Sequence, residues 1–152
     1  MLTQPRQATK SLYETDYHLW VMETLSKLEN KDFQSLDLEN LIEEVLDLSR
    51  RQKKKIKSLL RNLFEHLLKL KYWQAGQDSS RHWQGEIANF RKQIKDELED
   101  SPSLIPYLLE VLDECYRDGR EIAAAKSGLA IEDFPERAIA DLEQILDESW
   151  LP

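Results

Sequence analysis

The residues best suited to metal or acid-base chemistry are three histidines, one cysteine and many carboxylates. Helical di-iron sites use a Glu-x-x-His motif, but the residues three positions before the histidines are Thr15, Leu63 and Ser79. The His-Glu-x-x-His and paired Cys-x-x-Cys motifs are absent as well. The sequence therefore predicts no metal site and no cofactor.

Nucleophilic catalysis would need a serine, cysteine or lysine set against a base. The chain has no Gly-x-Ser-x-Gly motif, and its four dispersed glycines cannot form a phosphate-binding loop. The single Cys115 lies in a run with helical apolar periodicity, which is typical of a buried structural thiol. These residues favour a protein without catalytic residues.

Charge is distributed unevenly along the chain. Residues 1–49 carry 4 basic and 10 acidic side chains, residues 50–95 carry 13 and 3, and residues 96–152 carry 4 and 16. Within the basic segment one side of a predicted helix carries four cations, the basic stripe: Arg50, Lys54, Lys57 and Arg61. This stripe is a candidate site for a partner protein, an anion or nucleic acid. The alternative, which we expect, is that acidic helices pack around the stripe and pair with it internally.

A second set of residues follows one flank of the same helix at steps of four, three and four: Asn62, His66, Lys69 and Trp73. A polar flank that ends in an aromatic residue is a candidate site for a ligand or a partner. The alternative, which we favour, is that Trp73 covers the end of the core while His66 makes one ordinary hydrogen bond at its edge.

Apolar residues at three- and four-residue steps predict an all-α bundle of about five helices. We predict the first helix over residues 14–30 and the second over residues 37–72. In the second, the stripe that begins at Leu38 and the stripe that begins at Ile56 share one phase at 100° per residue. Because helices average about 12 residues, a bend near Ser49 is the alternative to one long helix.

The rest of the chain predicts three more helices around this long one. The third contains Trp83 and ends before Pro102, and the fourth ends at Gly128 in the left-handed conformation. The fifth follows Pro135. We predict residues 1–12 to be a flexible arm and residues 13–152 to be one helical domain, with three side chains nearly fully buried at its centre: Leu63, Phe64 and Leu67.

Short motifs along most of the chain are shared with a known family. They are Leu12-Tyr13-Glu14-x-Asp16-Tyr17-x-x-Trp20, Leu36-Asp37-x-Glu39-Asn40-Leu41-x-Glu43-Glu44, His66-Leu67-Leu68-Lys69, Ser101-Pro102-Ser103-Leu104 and Phe134-Pro135. In order and spacing they resemble the bacterial domain-of-unknown-function family 29. The resemblance implies a helical fold and no assigned activity, so no catalytic residue is carried over. Where the family often has a glycine this chain has Ser49, which favours a continuous second helix.

The predicted function follows by elimination. It is a non-catalytic helical module that binds another protein, with self-association as a further option. The alternative is a nucleic-acid-associated factor that uses the basic stripe, and a small enzyme of unknown chemistry comes third. The first residues lack the apolar segment of a secretory signal, and no apolar run reaches the roughly 20 residues that span a bilayer. We therefore expect a cytoplasmic protein with no membrane contact.

Overall fold

The computed structural model describes residues 10–152, so residues 1–9, most of the predicted flexible arm, lie outside the described residues. In this part the chain forms six α-helices and no strand: α1 Leu12–Thr15, α2 Tyr17–Glu29, α3 Leu38–Tyr72, α4 Ser80–Asp100, α5 Ile105–Ser127 and α6 Leu142–Leu146. Three short 3₁₀ helices connect them: Gln74–Ser79, Pro102–Leu104 and Ile131–Asp133. The predicted all-α bundle with one long helix is confirmed. None of the described helices is both long and apolar enough to cross a membrane.

The chain divides into two compact units. The first ends at Ser49, and the second comprises Arg50–Pro152. Helix α3 runs without interruption from Leu38 to Tyr72, so it contributes to both units. The continuous helix was the favoured interpretation of its apolar periodicity, and the alternative of a helix broken near Ser49 is wrong.

The first unit is a pair of helices joined by a short connection. The hydroxyl groups of Tyr13 and Tyr17 each donate to the carboxylate of Glu44 at 2.6 Å. Trp20 Nε1 donates to Asp37 Oδ2 at 3.3 Å. Because the earlier residues of the first segment contact the later residues of the second, α2 and the first part of α3 run antiparallel. In the described part of this unit only two residues are buried, Trp20 and Thr24.

The predicted first helix is two helices in the structure. Helix α1 ends at Thr15, and the backbone of Asp16 leaves the helical region with φ −148° and ψ 85°. The Asp16 carboxylate then accepts a hydrogen bond from the backbone N–H of Leu19 and so caps the start of α2. An aspartate that caps a new helix competes with continuation of the old one, which explains the break.

The second unit holds the hydrophobic core. Residues from the second part of α3 form its centre, and Ile56, Leu60, Leu63, Phe64 and Leu67 are all 0% exposed. The predicted burial of the last three is confirmed. Side chains of α4, α5 and α6 complete the core: Ile87, Ile94, Leu108, Val111, Cys115, Tyr116, Ala123, Leu142 and Ile145. As predicted, α5 ends at Gly128, which has φ 74°.

The segment after α5 is mostly irregular and is held by side chains that bind its backbone. Arg91 is buried and donates to the carbonyl oxygens of Ile145 and Trp150 at 2.7 Å. Arg120 donates to the carbonyl oxygen of Phe134, and the Tyr116 hydroxyl to that of Pro135. The predicted fifth helix is therefore shortened to Leu142–Leu146, because arginine and tyrosine donors satisfy carbonyl groups that a longer helix would have paired.

Candidate functional site

The cations of the basic stripe have different surroundings in the structure. Lys57 Nζ lies 2.7 Å from Glu114 Oε1. The hydrogen bond between them raises the pKa of Lys57 and lowers the pKa of Glu114. Lys54 is exposed, whereas Arg61 is half-buried, and among the described residues its Nε has no hydrogen-bond partner. The internal pairing that we expected is thus present at Lys57.

Residues beside the basic stripe also contact the acidic end of α4. Lys55 Nζ lies 2.5 Å from Glu97 Oε1, and Gln52 donates to Ser101 Oγ at 2.9 Å. The hydrogen bond from Lys55 lowers the pKa of Glu97. Lys53 Nζ lies 5.2 Å from the centre of the Tyr107 ring, a cation–π distance. Part of the positive charge of residues 50–95 is therefore used inside the second unit.

The predicted polar flank of α3 contains a buried charge cluster. Glu65 and Lys69 are 2% and 5% exposed, and the carboxylate and ammonium groups lie 3.3 Å apart. Lys126, from the last turn of α5, brings its ammonium group within 2.5 Å of the same carboxylate oxygen. Sequence analysis identified Lys69 but missed Glu65, because a charged residue is expected on the surface and the fold buries this one.

The electrostatics of this cluster favour a charged carboxylate. Burial alone would raise the pKa of Glu65, but the contacts with Lys126 and Lys69 outweigh it, and the pKa lies below its ordinary value. Burial lowers the pKa of Lys69, and the charge of Glu65 only partly offsets this effect. An ion pair in such a place is expensive to desolvate, and removal of one partner would leave an uncompensated buried charge.

Aromatic rings enclose the buried charges. Lys69 Nζ lies 5.4 Å from the centre of the Trp83 ring, and the rings of Trp73 and Trp83 are stacked with centres 5.4 Å apart. A Cβ atom at Gly76 would lie 2.7 Å from both tryptophans, so only glycine fits there. His66 Nδ1 donates to the carbonyl oxygen of Asn62 at 2.8 Å. These contacts support the interpretation that the flank closes the core.

The histidine, cysteine and acidic side chains of the described residues are dispersed or buried. They contain no group of three or more histidine, cysteine or acidic side chains that could hold a metal ion. Cys115 is a buried free thiol, and burial raises its pKa to about 11. A thiol of this kind is protonated at neutral pH and is a poor nucleophile.

The first unit exposes an apolar surface that sequence reasoning assigned to the core. We call it the hairpin face. On α2 it consists of side chains at steps of four, four and three residues, and on α3 of side chains at steps of four, three and one. The members are Tyr17, Val21, Leu25, Leu28, Leu38, Ile42, Val45 and Leu46, which are 36% to 59% exposed.

The two parts of the hairpin face lie at different angles to the contact between the helices. On α2 the exposed stripe lies about 90° around the helix from the side that carries Trp20 and Thr24. On α3 it lies about 140° from the side that carries Asp37, Asn40 and Glu44, in the same rotational sense. The stripe on α2 therefore lies beside the contact between the two helices, whereas the stripe on α3 faces mostly away from α2.

Acidic residues border this surface. Glu29 comes directly after Leu28 on α2, and Glu39 comes directly after Leu38 on α3; both are exposed. Residues 10–49 contain ten acidic and three basic side chains, a net charge of −7. The hairpin face is therefore an apolar surface in a strongly negative unit. The count of charges in each third of the sequence was the signal that could have drawn attention to this unit.

The architecture defines an all-α protein whose first unit exposes apolar side chains on α2 and α3. The chain belongs to the family described as a domain of unknown function, DUF29, whose model matches residues 12–151. The resemblance found in the sequence motifs is thereby confirmed. No curated protein and no solved structure matches the chain.

Proposed function

We propose that this protein is a non-catalytic helical module that binds another protein through the hairpin face. The observation that supports the proposal is the exposure of eight large apolar side chains in two stripes on α2 and α3, within a unit whose described residues expose twelve such side chains. The described part of the second unit has far fewer such residues, namely Ile105, Leu109 and Leu151. Contiguous apolar surface of this kind is typical of interaction sites, because water is a poor solvent for it.

The apolar burial open to a partner is of the same size as the cost of binding. Complete burial of an exposed leucine, isoleucine or valine contributes about 1.5–3 kcal/mol relative to full exposure. The side chains of the hairpin face are already partly covered, so eight of them at about half that amount would contribute about 6–12 kcal/mol. The loss of rotational and translational freedom on association is about 4–15 kcal/mol, so the fit of the partner decides the affinity.

Affinity capture with matched variants tests this function. Ile42→Asp places a charge on the hairpin face, where Ile42 is 51% exposed. Leu109→Asp places the same charge in the second unit, where Leu109 is similarly exposed at 58%. We expect proteins retained by the wild type and by Leu109→Asp to be lost with Ile42→Asp. Retention should persist at high salt because apolar burial drives it. Equal retention by all three proteins would contradict the proposal.

A nucleic-acid-associated role through the basic stripe is the second candidate. Its support is the net charge of +10 in residues 50–95 and the exposure of Lys54. The ion pair of Lys57 with Glu114 argues against it. Retention on duplex DNA that falls steeply with salt, and that is reduced by Lys54→Glu, would favour this role over the first.

A cytoplasmic location is part of the proposal. It is supported by the buried free thiol of Cys115, since a chain with one cysteine does not depend on a disulfide for its fold. Fractionation of the native cell, with the protein followed by an antibody, tests it. Recovery with the membranes or outside the cell would contradict it.

A further inference from the structure

A cleft of about 400 Å³ lies in the second unit, between α4 and the segment that follows α6. Small-molecule sites in proteins have volumes of about 300–1,000 Å³, so the cleft has room for a small ligand. Its lining comes from one side of α4 and from the later segment, and includes Ile87, Ala88, Arg91, Lys92, Glu148 and Leu151.

A buried positive charge lies at the base of this cleft. Arg91 lines it although the residue is only 2% exposed. Within the described residues no carboxylate forms an ion pair with Arg91. Burial lowers the pKa of Arg91, and the charges of Asp147 and Glu148 only partly offset this effect. Because arginine stays charged in proteins and a buried charge without a counter-ion is costly, an anion in the cleft would reduce the cost.

The Arg91 guanidinium has donors left for a ligand. Its Nε and Nη2 atoms donate to the carbonyl oxygens of Ile145 and Trp150. Nη1 donates to no residue within 10–152, but it is not closed off from solvent as Nε of Arg61 is. A planar guanidinium with parallel N–H groups matches the two oxygens of a carboxylate. The base of the cleft therefore presents donors that suit a carboxylate.

The cleft also has apolar lining. Ile87, which is 1% exposed, lies one turn before Arg91 on α4. Leu151, which is 44% exposed, contributes apolar surface from the later segment, and the methyl group of Ala88 adds to it. A ligand gains free energy when it covers such surface. A molecule with both a charged group and an apolar body would use both parts of the lining.

The charges at the rim favour a ligand with one negative charge. Lys92 is exposed and makes no ion pair within the described part of the chain, so it adds a second cation at the opening. Glu148 also lines the cleft, and Lys95 Nζ, 3.2 Å from its carboxylate, partly offsets its charge. A carboxylate at this rim opposes a ligand with several negative charges. The balance suits a monoanion.

We propose that this cleft binds a small organic carboxylate. The carboxylate group accepts hydrogen bonds from Arg91 and is attracted by Lys92, and the apolar body lies against Ile87 and Leu151. The inference is independent of the hairpin face, because every residue involved belongs to the second unit. The alternative is that Arg91 only anchors the segment after α6, in which case the cleft holds no ligand.

Titration with hexanoate, followed by NMR of the backbone amide groups of the full chain, tests the proposal. Hexanamide has the same shape without the charge, and acetate has the charge without the apolar body. At neutral pH and constant ionic strength, we expect hexanoate to shift the amide signals of the α4 and later-segment residues that line the cleft. It should bind at least about tenfold more tightly than either control.

Three substitutions on α4 locate the binding. Ala88→Glu puts a negative charge into the cleft, whereas Asn89→Glu puts the same charge at a neighbouring exposed position outside its lining. Both positions are exposed, and glutamate is a good helix former, so both proteins should fold. We expect Ala88→Glu to weaken hexanoate binding by at least about tenfold and Asn89→Glu by less than about twofold. Lys92→Gln should weaken it by about 2- to 5-fold.

Arg91→Lys separates binding from anchoring. Lysine keeps the positive charge but has no planar pair of donors. We expect the preference for hexanoate over hexanamide to fall below about threefold in this variant. A purely anchoring role predicts no such preference in the wild type either. If the variant does not fold, as circular dichroism will check, the comparison of Ala88→Glu with Asn89→Glu decides, because both retain Arg91.

Three results would overturn the inference. They are hexanoate binding no tighter than that of hexanamide, equal hexanoate binding by Ala88→Glu and the wild type, and shifts confined to amide signals away from the cleft. Tighter binding of inorganic phosphate than of hexanoate at the same signals would also overturn it, and would assign the cleft to a phosphate ligand.

Discussion

The two parts of α3 carry the same apolar stripe in opposite environments. Leu38, Ile42 and Val45 in the first part are 51% to 59% exposed. Ile56 and Leu60 in the second part, on the same side of the helix by periodicity, are 0% exposed. Hydrophobic periodicity therefore identifies the side of a helix that avoids water, but the elements available to cover that side decide whether it is buried.

The number of covering elements explains the difference. Side chains from α4, α5 and α6 cover the second part, and α5 approaches closely enough that a Cβ at Gly119 would lie 2.9 Å from the Arg61 carbonyl oxygen. Among the described residues of its unit the first part has only α1 and α2 as neighbours, and polar contacts to Glu44 and Asp37 occupy the inner side. A two-helix unit has too little surface to bury both sides of its helices.

The largest expected effect tests whether the second part of α3 supports the fold and the first does not. Leu63→Ala or Leu67→Ala should lower the free energy of unfolding by about 2–5 kcal/mol, because each removes buried surface and leaves a cavity. Ile42→Ala should change it by less than about 0.5 kcal/mol, because Ile42 is half exposed. Urea unfolding followed by circular dichroism measures all three. Equal losses in the two parts would show that the stripe is not divided as described.

The next effect concerns the buried charges on the second part. Glu65→Gln keeps the shape of the side chain but removes the charge that faces the buried Lys69. We expect a loss of about 2–4 kcal/mol in the free energy of unfolding, since a buried ammonium group then lacks its counter-ion. Glu23→Gln on the exposed surface of α2 is the control and should change stability little. A loss no larger than that of the control would mean that the ammonium group of Lys69 does not depend on the Glu65 charge for its stability in the fold.

Much of this fold was predictable from residue patterns, and the exceptions have local causes. The bounds of α3 and the end of α5 at Gly128 follow from periodicity and a glycine in the left-handed region. The break at Asp16 depends on a carboxylate that caps one helix by ending another, and either outcome suits the sequence. The length of α6 depends on Arg91, which is distant in sequence and so invisible to a local pattern.

The candidate sites were less predictable for a related reason. Lys57 and Lys69 were singled out by spacing, but the spacing does not show what they contact. Lys57 pairs with Glu114 of α5. Lys69 pairs with Glu65, whose carboxylate is shared with Lys126 of α5. The hairpin face was missed because its residues have the same type and period as those of the core. Only the tertiary arrangement shows which part of one stripe has a cover.

A smaller effect tests how closely α5 packs on the second part of α3. Gly119→Ala would place a methyl group 2.9 Å from both the Arg61 carbonyl oxygen and Phe64 Cβ. The forced separation of the helices should cost about 1–3 kcal/mol. Gly85→Ala in α4 meets nothing within 4 Å and should stabilise the protein by up to about 1 kcal/mol through helix propensity. Thermal unfolding of both variants against wild type measures the difference, and a stabilising Gly119→Ala would contradict the close approach.

The smallest effect is a pH dependence that comes from a histidine in the second part of α3. Burial of His66, with a further contribution from the nearby charge of Lys69, lowers the pKa of its imidazole below the ordinary value of 6.5. The unfolded chain therefore binds a proton at higher pH than the folded protein does. The contribution of His66 to stability is fully present above about pH 6.5 and is lost as the pH falls toward the lower folded pKa. Glu65 also has a lowered pKa, but its contribution is lost only below its ordinary value of 4.5, so the two windows are distinct.

Melting temperatures measured from pH 8 to pH 5.5 should fall in the wild type, and the slope should be reduced in His66→Gln. His82→Gln, at an exposed ring, should retain the slope of the wild type. If His66→Gln retains the slope of the wild type, the imidazole of His66 is not held neutral by its burial against Phe90 and the charged cluster.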